Sequence, residues 1–264
     1  QRLMDLYYQN DSVMKVPSFG QIADLENLNA KSLVSTYHSM INKDKIDIFV
    51  LGDIDPMRAQ QVVAKLPFKD RDIVNKSPLY HQALYDQVQR KTEYQQVNQA
   101  KLNLAYSLPV YYHDADYYAG LVFNGLFGGT PYSKLFTNVR EKASLAYYAS
   151  SRLLPFNGIV SVQTGIQASD QEKVQNMIQE QLTALQNGDF TTETLSEVQD
   201  SLINQYRAGH DLASNVLEQQ LVTKLVNESD KNFVTEIKKV TVADVMRVAK
   251  QMKLQAVYLL SGEK

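Results

Sequence analysis

Residues 128–148 read GGTPYSKLFTNVREKASLAYY, and their interpretation decides both fold and function. Gly128 and Gly129 open the stretch. An amphipathic helical pattern follows over 133–142, and a β-rich run begins at Ala146. Arg140 therefore falls near the end of a short helix and Tyr147 at the start of a strand. The connection EKASLA (141–146) is short enough to bring both side-chain tips to one side. Arg offers a fixed fork of donors and stays charged at any working pH. Tyr offers a hydroxyl on a rigid ring. Two such donors converging on a point can hold a carbonyl oxygen, and one preorganised donor is worth roughly 3–4 kcal/mol in a transition state. The competing reading has Arg140 paired with Glu141 or Glu93 and Tyr147 half in the core; spacing alone favours it.

The glycines admit two uses. One can cap a helix ending near Phe127, where positive φ is needed. The other suggests a flexible or closely approached backbone, so Gly128 and Gly129 are expected to form a flexible turn. A phosphate loop is excluded, because the order is Ser133-Lys134 and the preceding element is helical rather than a strand.

Working outward, residues 100–108 alternate Leu102, Leu104, Tyr106 and Leu108 with more polar positions, as a half-buried antiparallel strand does. Helix is expected over 117–127, with Asp114 or Asp116 as its cap. Two strands are expected over 146–154 and 158–167, joined through Asn157-Gly158. Ser169 with Glu172 reads as a capping box opening a helix that Gly188 ends. Further helices start at Thr192 or Thr194, span about 212–226, and follow a Thr241/Asp244 cap. Residues 254–260, LQAVYLL, close as a strand. Toward the N-terminus, Asn29 caps a helix carrying Leu33, Val34, Tyr37, Met40 and Ile41; a strand is expected at 45–52; and Asp55-Pro56 starts another helix. Residues 67–91 lack a period and read as a linker. The pattern as a whole is α+β: an antiparallel sheet with helices packed on one face.

Composition narrows the function. The 264 residues carry a formal net charge of -2, with no basic stripe to suggest nucleic acid. No apolar run is long enough for a membrane span. The absence of Cys removes disulfides and thiolate metal sites and fits a cytoplasmic location. Neither His-Glu-x-x-His nor His-x-x-Glu-His occurs, and His38, His81, His113 and His210 stand apart. There is no Gly-x-Ser-x-Gly elbow to anchor a serine triad. Paired tyrosines at 7–8, 111–112, 117–118 and 147–148 suit either core packing or a large, partly wet inner surface. The first residues, QRLMDLYYQNDSVMKVPSFG, have no initiating Met, show no charged-then-apolar leader and open within a helix-like pattern. The chain is therefore expected to be part of a longer one.

The block Gly128-Gly129, Ser133-Lys134-Leu135-Phe136, Val139-Arg140-Glu141-Lys142 and Leu145-Ala146-Tyr147 resembles the second-domain signature of the pitrilysin/insulinase-type zinc peptidases, a family that includes the mitochondrial processing peptidases. Residues 35–55 resemble the helix-strand end of that family's first domain, and residues 239–262 its closing helix and strand. The doubled Tyr is similar to insulinase-like proteins of Gram-positive bacteria, including zinc-free members.

The resemblance implies two homologous domains facing across a closed chamber. Residues 1–66 would end the first domain, 67–91 would link, and 92–264 would form the second. In the family the second domain's Arg and Tyr hold substrate backbone near the metal, which gives those roles to Arg140 and Tyr147. The zinc motif is not in these residues. Zinc is thus expected in a further domain or a partner subunit, and this chain alone is expected to be inactive. The expected partners are a peptide or unfolded polypeptide and a zinc-bearing homologous domain or subunit, with neither nucleic acid nor membrane. The alternatives are a catalytically inactive, zinc-free scaffold subunit of a heterodimeric peptidase, and an unrelated α+β binding module.

Overall fold

A computed structural model of the chain describes every residue except 12, 69–72, 74–76, 82, 113, 228–231 and 263–264. His113 and parts of the expected linker lie outside the described residues. At the centre is a five-stranded sheet. Its strands are β1 (Gln89–Tyr94), β2 (Ala100–Ser107), β3 (Ala146–Leu154), β4 (Ile159–Ile166) and β5 (Lys253–Ser261), in the spatial order β1-β5-β2-β4-β3. The β2–β5, β2–β4 and β3–β4 pairs are antiparallel, whereas β1 runs parallel to β5. The sheet is therefore mixed at one edge. β1, QRKTEY, was not expected as a strand because it is almost wholly polar. Charge on an edge strand discourages unwanted pairing with other chains.

One face is dry. Leu102, Leu104 and Tyr106 project from β2 and are essentially inaccessible. They join residues from α5 (Tyr117–Asn124), α6 (Gln171–Gln186), α7 (Thr192–Gly209), α9 (Phe233–Lys239) and α10 (Val242–Ala249) in a single core. Val174, Ile178, Leu182 and Leu185 recur at helical spacing along α6 and are all buried. Each such side chain contributes about 1.5–3 kcal/mol relative to exposure. Asp116 stands at the N-cap of α5 but makes no side-chain cap; its carboxylate instead accepts from Arg247 at 2.7 Å and Gln251 at 3.1 Å, tying α5 to α10. Asp114 accepts from the Tyr111 backbone and does not cap either.

The opposite face is half covered. Leu3 and Tyr7 of α1 (Arg2–Tyr7), with Tyr8, pack on Ala105, Ile159, Ala256 and Tyr258. Ala105 and Ser107 are consequently buried, and the expected wet face of β2 is confined to its Lys101–Asn103 end.

The segment before the sheet differs most from expectation. α2 (Ile22–Leu25), α3 (Ala30–Lys43) and α4 (Pro56–Val63) form, with the Asn29 and Asp55 caps in place, yet they bury no residue fully. The strand expected at 45–52 does not form. A strand needs a hydrogen-bonding neighbour, and none of the described residues pairs with this segment, so Ile48 and Val50 remain 43% and 53% exposed. The Ser169/Glu172 capping box is also absent: a 3₁₀ turn, Ala168–Asp170, leads directly into α6. α8 (Ala213–Val226) ends on Asn227 in the left-handed region. No helix among the described residues is long and apolar enough to cross a membrane.

Candidate functional site

The chain leaves α5 without a left-handed cap. Its helix widens into a π turn, Gly125–Gly129, closed by the Thr130 hydroxyl donating to the Gly125 carbonyl at 2.9 Å. Neither Gly128 nor Gly129 has positive φ. Their role is close approach: a Cβ at Gly128 would stand 2.5 Å from the Ser151 backbone nitrogen, and one at Gly129 would stand 2.6 Å from the Asn124 amide. Ser151 in turn donates to the Asn124 side chain at 2.8 Å, so the glycines seat this turn directly on β3. They support the strand that carries Tyr147.

A second π helix, Leu135–Lys142, follows. Leu135 and Val139 anchor it in the core, and Asn138 donates to Gln181 of α6 at 2.6 Å. Short π segments concentrate at functional sites. Arg140 points out from this helix with its guanidinium 4.5 Å above the Phe136 ring. It forms no ion pair with any described residue. Glu93, one of its expected partners, is held instead by Lys91 at 2.6 Å and Tyr258 at 2.9 Å. Burial pulls the Lys134 ammonium below its usual range; Asp189 opposes this and Lys142 reinforces it.

The helix ends in a turn that costs energy to hold. Ser144 adopts φ +52°, a left-handed conformation worth about 1–2 kcal/mol of strain outside glycine. The Ala143 and Leu145 amides donate back to Asn138 and Val139 at 3.1 and 3.3 Å. This reversal starts β3 beside the end of the π helix.

Tyr147 is the extra residue of a β-bulge. Ala146 pairs with Ile166 and Tyr148 with Gly165, so Tyr147 has no partner of its own. Bulges re-aim side chains. This one leaves two consecutive tyrosines outside the core, with Tyr147 62% exposed. Tyr148 lies over Gly165, where a Cβ would meet its ring at 2.5 Å. Tyr147 lines a recess of about 340 Å³ together with Arg140, Ser144, Gln167 and Asp170. Gln167 donates its amide to the Tyr147 oxygen at 2.8 Å. The phenol's own proton is thereby free to be donated into the recess. The reading with Arg140 paired locally and Tyr147 half in the core is not what the chain does.

Gln167, Ser144 and Asp170 were not legible as site residues. Their placement depends on the β3–β4 register and the bulge, neither of which a single segment announces. The remaining tyrosine pairs serve packing: Tyr7–Tyr8 and Tyr117–Tyr118 meet edge to face, at 5.0 and 5.1 Å between centroids. The described histidines do not fit a zinc site. His38, His81 and His210 each lie against a different tyrosine, and no group of three or more His, Asp or Glu among the described residues could hold a metal ion.

Comparison with known proteins agrees with this architecture. The family model described as "Peptidase M16 inactive domain" matches residues 27–202. A Bacillus subtilis protein named "Probable inactive metalloprotease YmfF" is 36% identical over 246 residues, covering 92% of this chain and 58% of its own length. The chain thus spans little more than half of that relative. The crystal structure of a conserved protein from Enterococcus faecalis V583 superposes with a TM-score of 0.92 at 37% identity, over 99% of this chain and 62% of that one. A peptidase M16 inactive domain from Pseudomonas fluorescens shares the fold, with a TM-score of 0.75 at 17% identity, over 100% of this chain and 65% of that one.

Proposed function

This chain belongs to the family of Peptidase M16 inactive domains, of pitrilysin/insulinase type, and from that premise we propose that it is a polypeptide-holding domain. In this reading Arg140 and Tyr147 donate hydrogen bonds to a main-chain carbonyl of an enclosed peptide or unfolded polypeptide. A zinc-bearing homologous domain or subunit performs the cleavage, because the described histidines here are unsuited to the metal. Residues 1–66 would be the tail of a first domain, with α1 packing back onto the holding domain's sheet; 67–91 would link, and 92–264 would be the holding domain. The Cys-free composition is the basis for placing the protein in the cytoplasm.

The observation that carries the reading is the shared recess: a guanidinium with no ion pair among the described residues and a phenol whose oxygen already accepts from Gln167. Both can donate to an incoming carbonyl, and neither has to break a described ion pair to do so. The test is Arg140→Ala in the full-length protein, assayed with the zinc-bearing half present. Turnover is expected to fall about a hundredfold, the cost of one preorganised donor. Unchanged cleavage rejects the assignment.

A second reading is favoured by one observation, the 36% identity to a protein named as an inactive metalloprotease. Here the full-length protein is a metal-free subunit that closes a chamber over a catalytic partner. Metal analysis separates the two: stoichiometric zinc in the full-length protein supports the first, and its absence together with partner-dependent cleavage supports the second.

A further inference from the structure

The uncovered part of the sheet's second face holds a cleft of about 660 Å³ beside α1, on the face opposite the main core. None of its described lining residues is acidic. Lys101 and Arg152 are both exposed, and neither forms an ion pair with a described residue. Arg2 at the rim reaches Glu93 only at 3.8 Å, a carboxylate already held by Lys91. Between the two cations lie neutral hydrogen-bonding side chains, Asn103, Gln163 and Ser161, with the Tyr148 ring as one wall.

The register fixes their spacing. Lys101 is level with Gly165 and hence with Tyr148, while Arg152 is level with Ser161. Arg152 is therefore two strands across and four residues along from Lys101. At ordinary strand spacings that separates the two backbone positions by about 17 Å. About five residues of extended polypeptide span that length. Amide side chains in the middle can pair with a peptide's backbone, and cations at the ends can pair with carboxylates.

We propose that this cleft binds an extended acidic segment of a polypeptide, with Lys101 and Arg152 each taking a carboxylate and Asn103 and Gln163 taking the intervening main chain. The proposal does not depend on Arg140 or Tyr147. Polypeptide is favoured over nucleic acid because the cations are few and widely spaced and the chain as a whole carries a net charge of -2.

The test is fluorescence anisotropy on the full-length protein with labelled ten-residue peptides that are acidic, neutral or basic, and with a single-stranded oligonucleotide of similar length. The acidic peptide is expected to bind most tightly and to weaken as salt rises. The Lys101→Glu/Arg152→Glu double variant is expected to lose at least tenfold in affinity, with Lys101→Gln/Arg152→Gln intermediate and the melting temperature of the latter unchanged. The Lys101→Glu/Arg152→Glu variant is expected to leave the affinity for the neutral peptide within twofold, so failure here and failure of the recess assignment are told apart. Equal binding of the three peptides, tighter binding of the oligonucleotide, or insensitivity to both double variants would overturn the proposal.

Discussion

Gln167 donates its amide to the Tyr147 phenol oxygen at 2.8 Å, and both side chains line the recess beside Arg140. The polarity of that contact decides what the tyrosine can do. As an acceptor from Gln167, the phenol keeps its proton for something else. Replacing the amide by a carboxylate reverses the polarity, because a carboxylate only accepts and would claim that proton. Gln167→Glu is therefore expected to weaken binding of an uncharged peptide by about tenfold, the scale of one hydrogen bond. Tyr147→Phe should have a similar effect, and the double variant should be no worse than either single one. Anisotropy titrations across this cycle check it; additive losses would show that the two residues act separately.

Gly128 should tolerate no side chain. The obstacle to a Cβ is the backbone of Ser151, at 2.5 Å, and backbone in a sheet cannot swing aside as a side-chain tip can. Gly128→Ala is expected to destabilise the protein by about 1–3 kcal/mol, as overpacking does. For a domain of this size that lowers the melting temperature by roughly 2–4 °C per kcal/mol. Because β3 carries Tyr147, weaker peptide binding should accompany the loss. A scanning calorimetry trace identical to that of the unsubstituted protein would refute the close-approach account.

Acid should weaken the N-terminal cap of α10. The Thr241 hydroxyl and backbone amide, with Arg247, hold the Asp244 carboxyl down at about 2, from an ordinary 3.8. A depressed carboxylate contributes stability above its unfolded value and loses it as the pH falls through the folded one. The contribution of this cap is thus complete above about pH 4 and declines toward pH 2. Denaturant midpoints measured between pH 5 and pH 2 should fall more steeply for the native sequence than for Asp244→Asn, which has no such group to titrate.

The cap itself is worth testing at neutral pH. Thr241 accepts from the Asp244 amide while Asp244 accepts from the Thr241 amide, a reciprocal arrangement at the start of α10. Thr241→Ala is expected to cost about 1 kcal/mol, the usual value for an N-cap hydroxyl. Urea unfolding at pH 7 reads this directly, through a lower midpoint at unchanged slope.

Most of the sheet and its helical layer could be read from periodicity. β2 to β5 announce themselves by apolar alternation or apolar runs, and α6, α7 and α10 by buried stripes. β1 could not, because an edge strand of Gln, Arg, Lys, Thr and Glu ending in one exposed Tyr carries no apolar alternation. The error at 45–52 has the opposite cause: its residues have strand propensity, but propensity without a neighbour makes no ladder. α9 is only seven residues long, too short for a period to stand out. Arg140 and Tyr147 take their site roles from the family resemblance, since spacing alone favours local pairing, whereas the bulge, the left-handed Ser144 and the Gln167 contact arise from how β3 meets β4. Those are properties of pairing across the sheet, and no single stretch of sequence contains them.

The bulge at Tyr147 bears on more than the recess. β3 is an outer strand, and an outer strand with an unbroken row of amides and carbonyls invites another molecule to zip onto it. One surplus residue at its beginning throws that row out of step, so an identical strand laid alongside could not stay in phase along the whole length. The feature that turns a phenol outward thereby also works against edge-to-edge pairing at that end of β3.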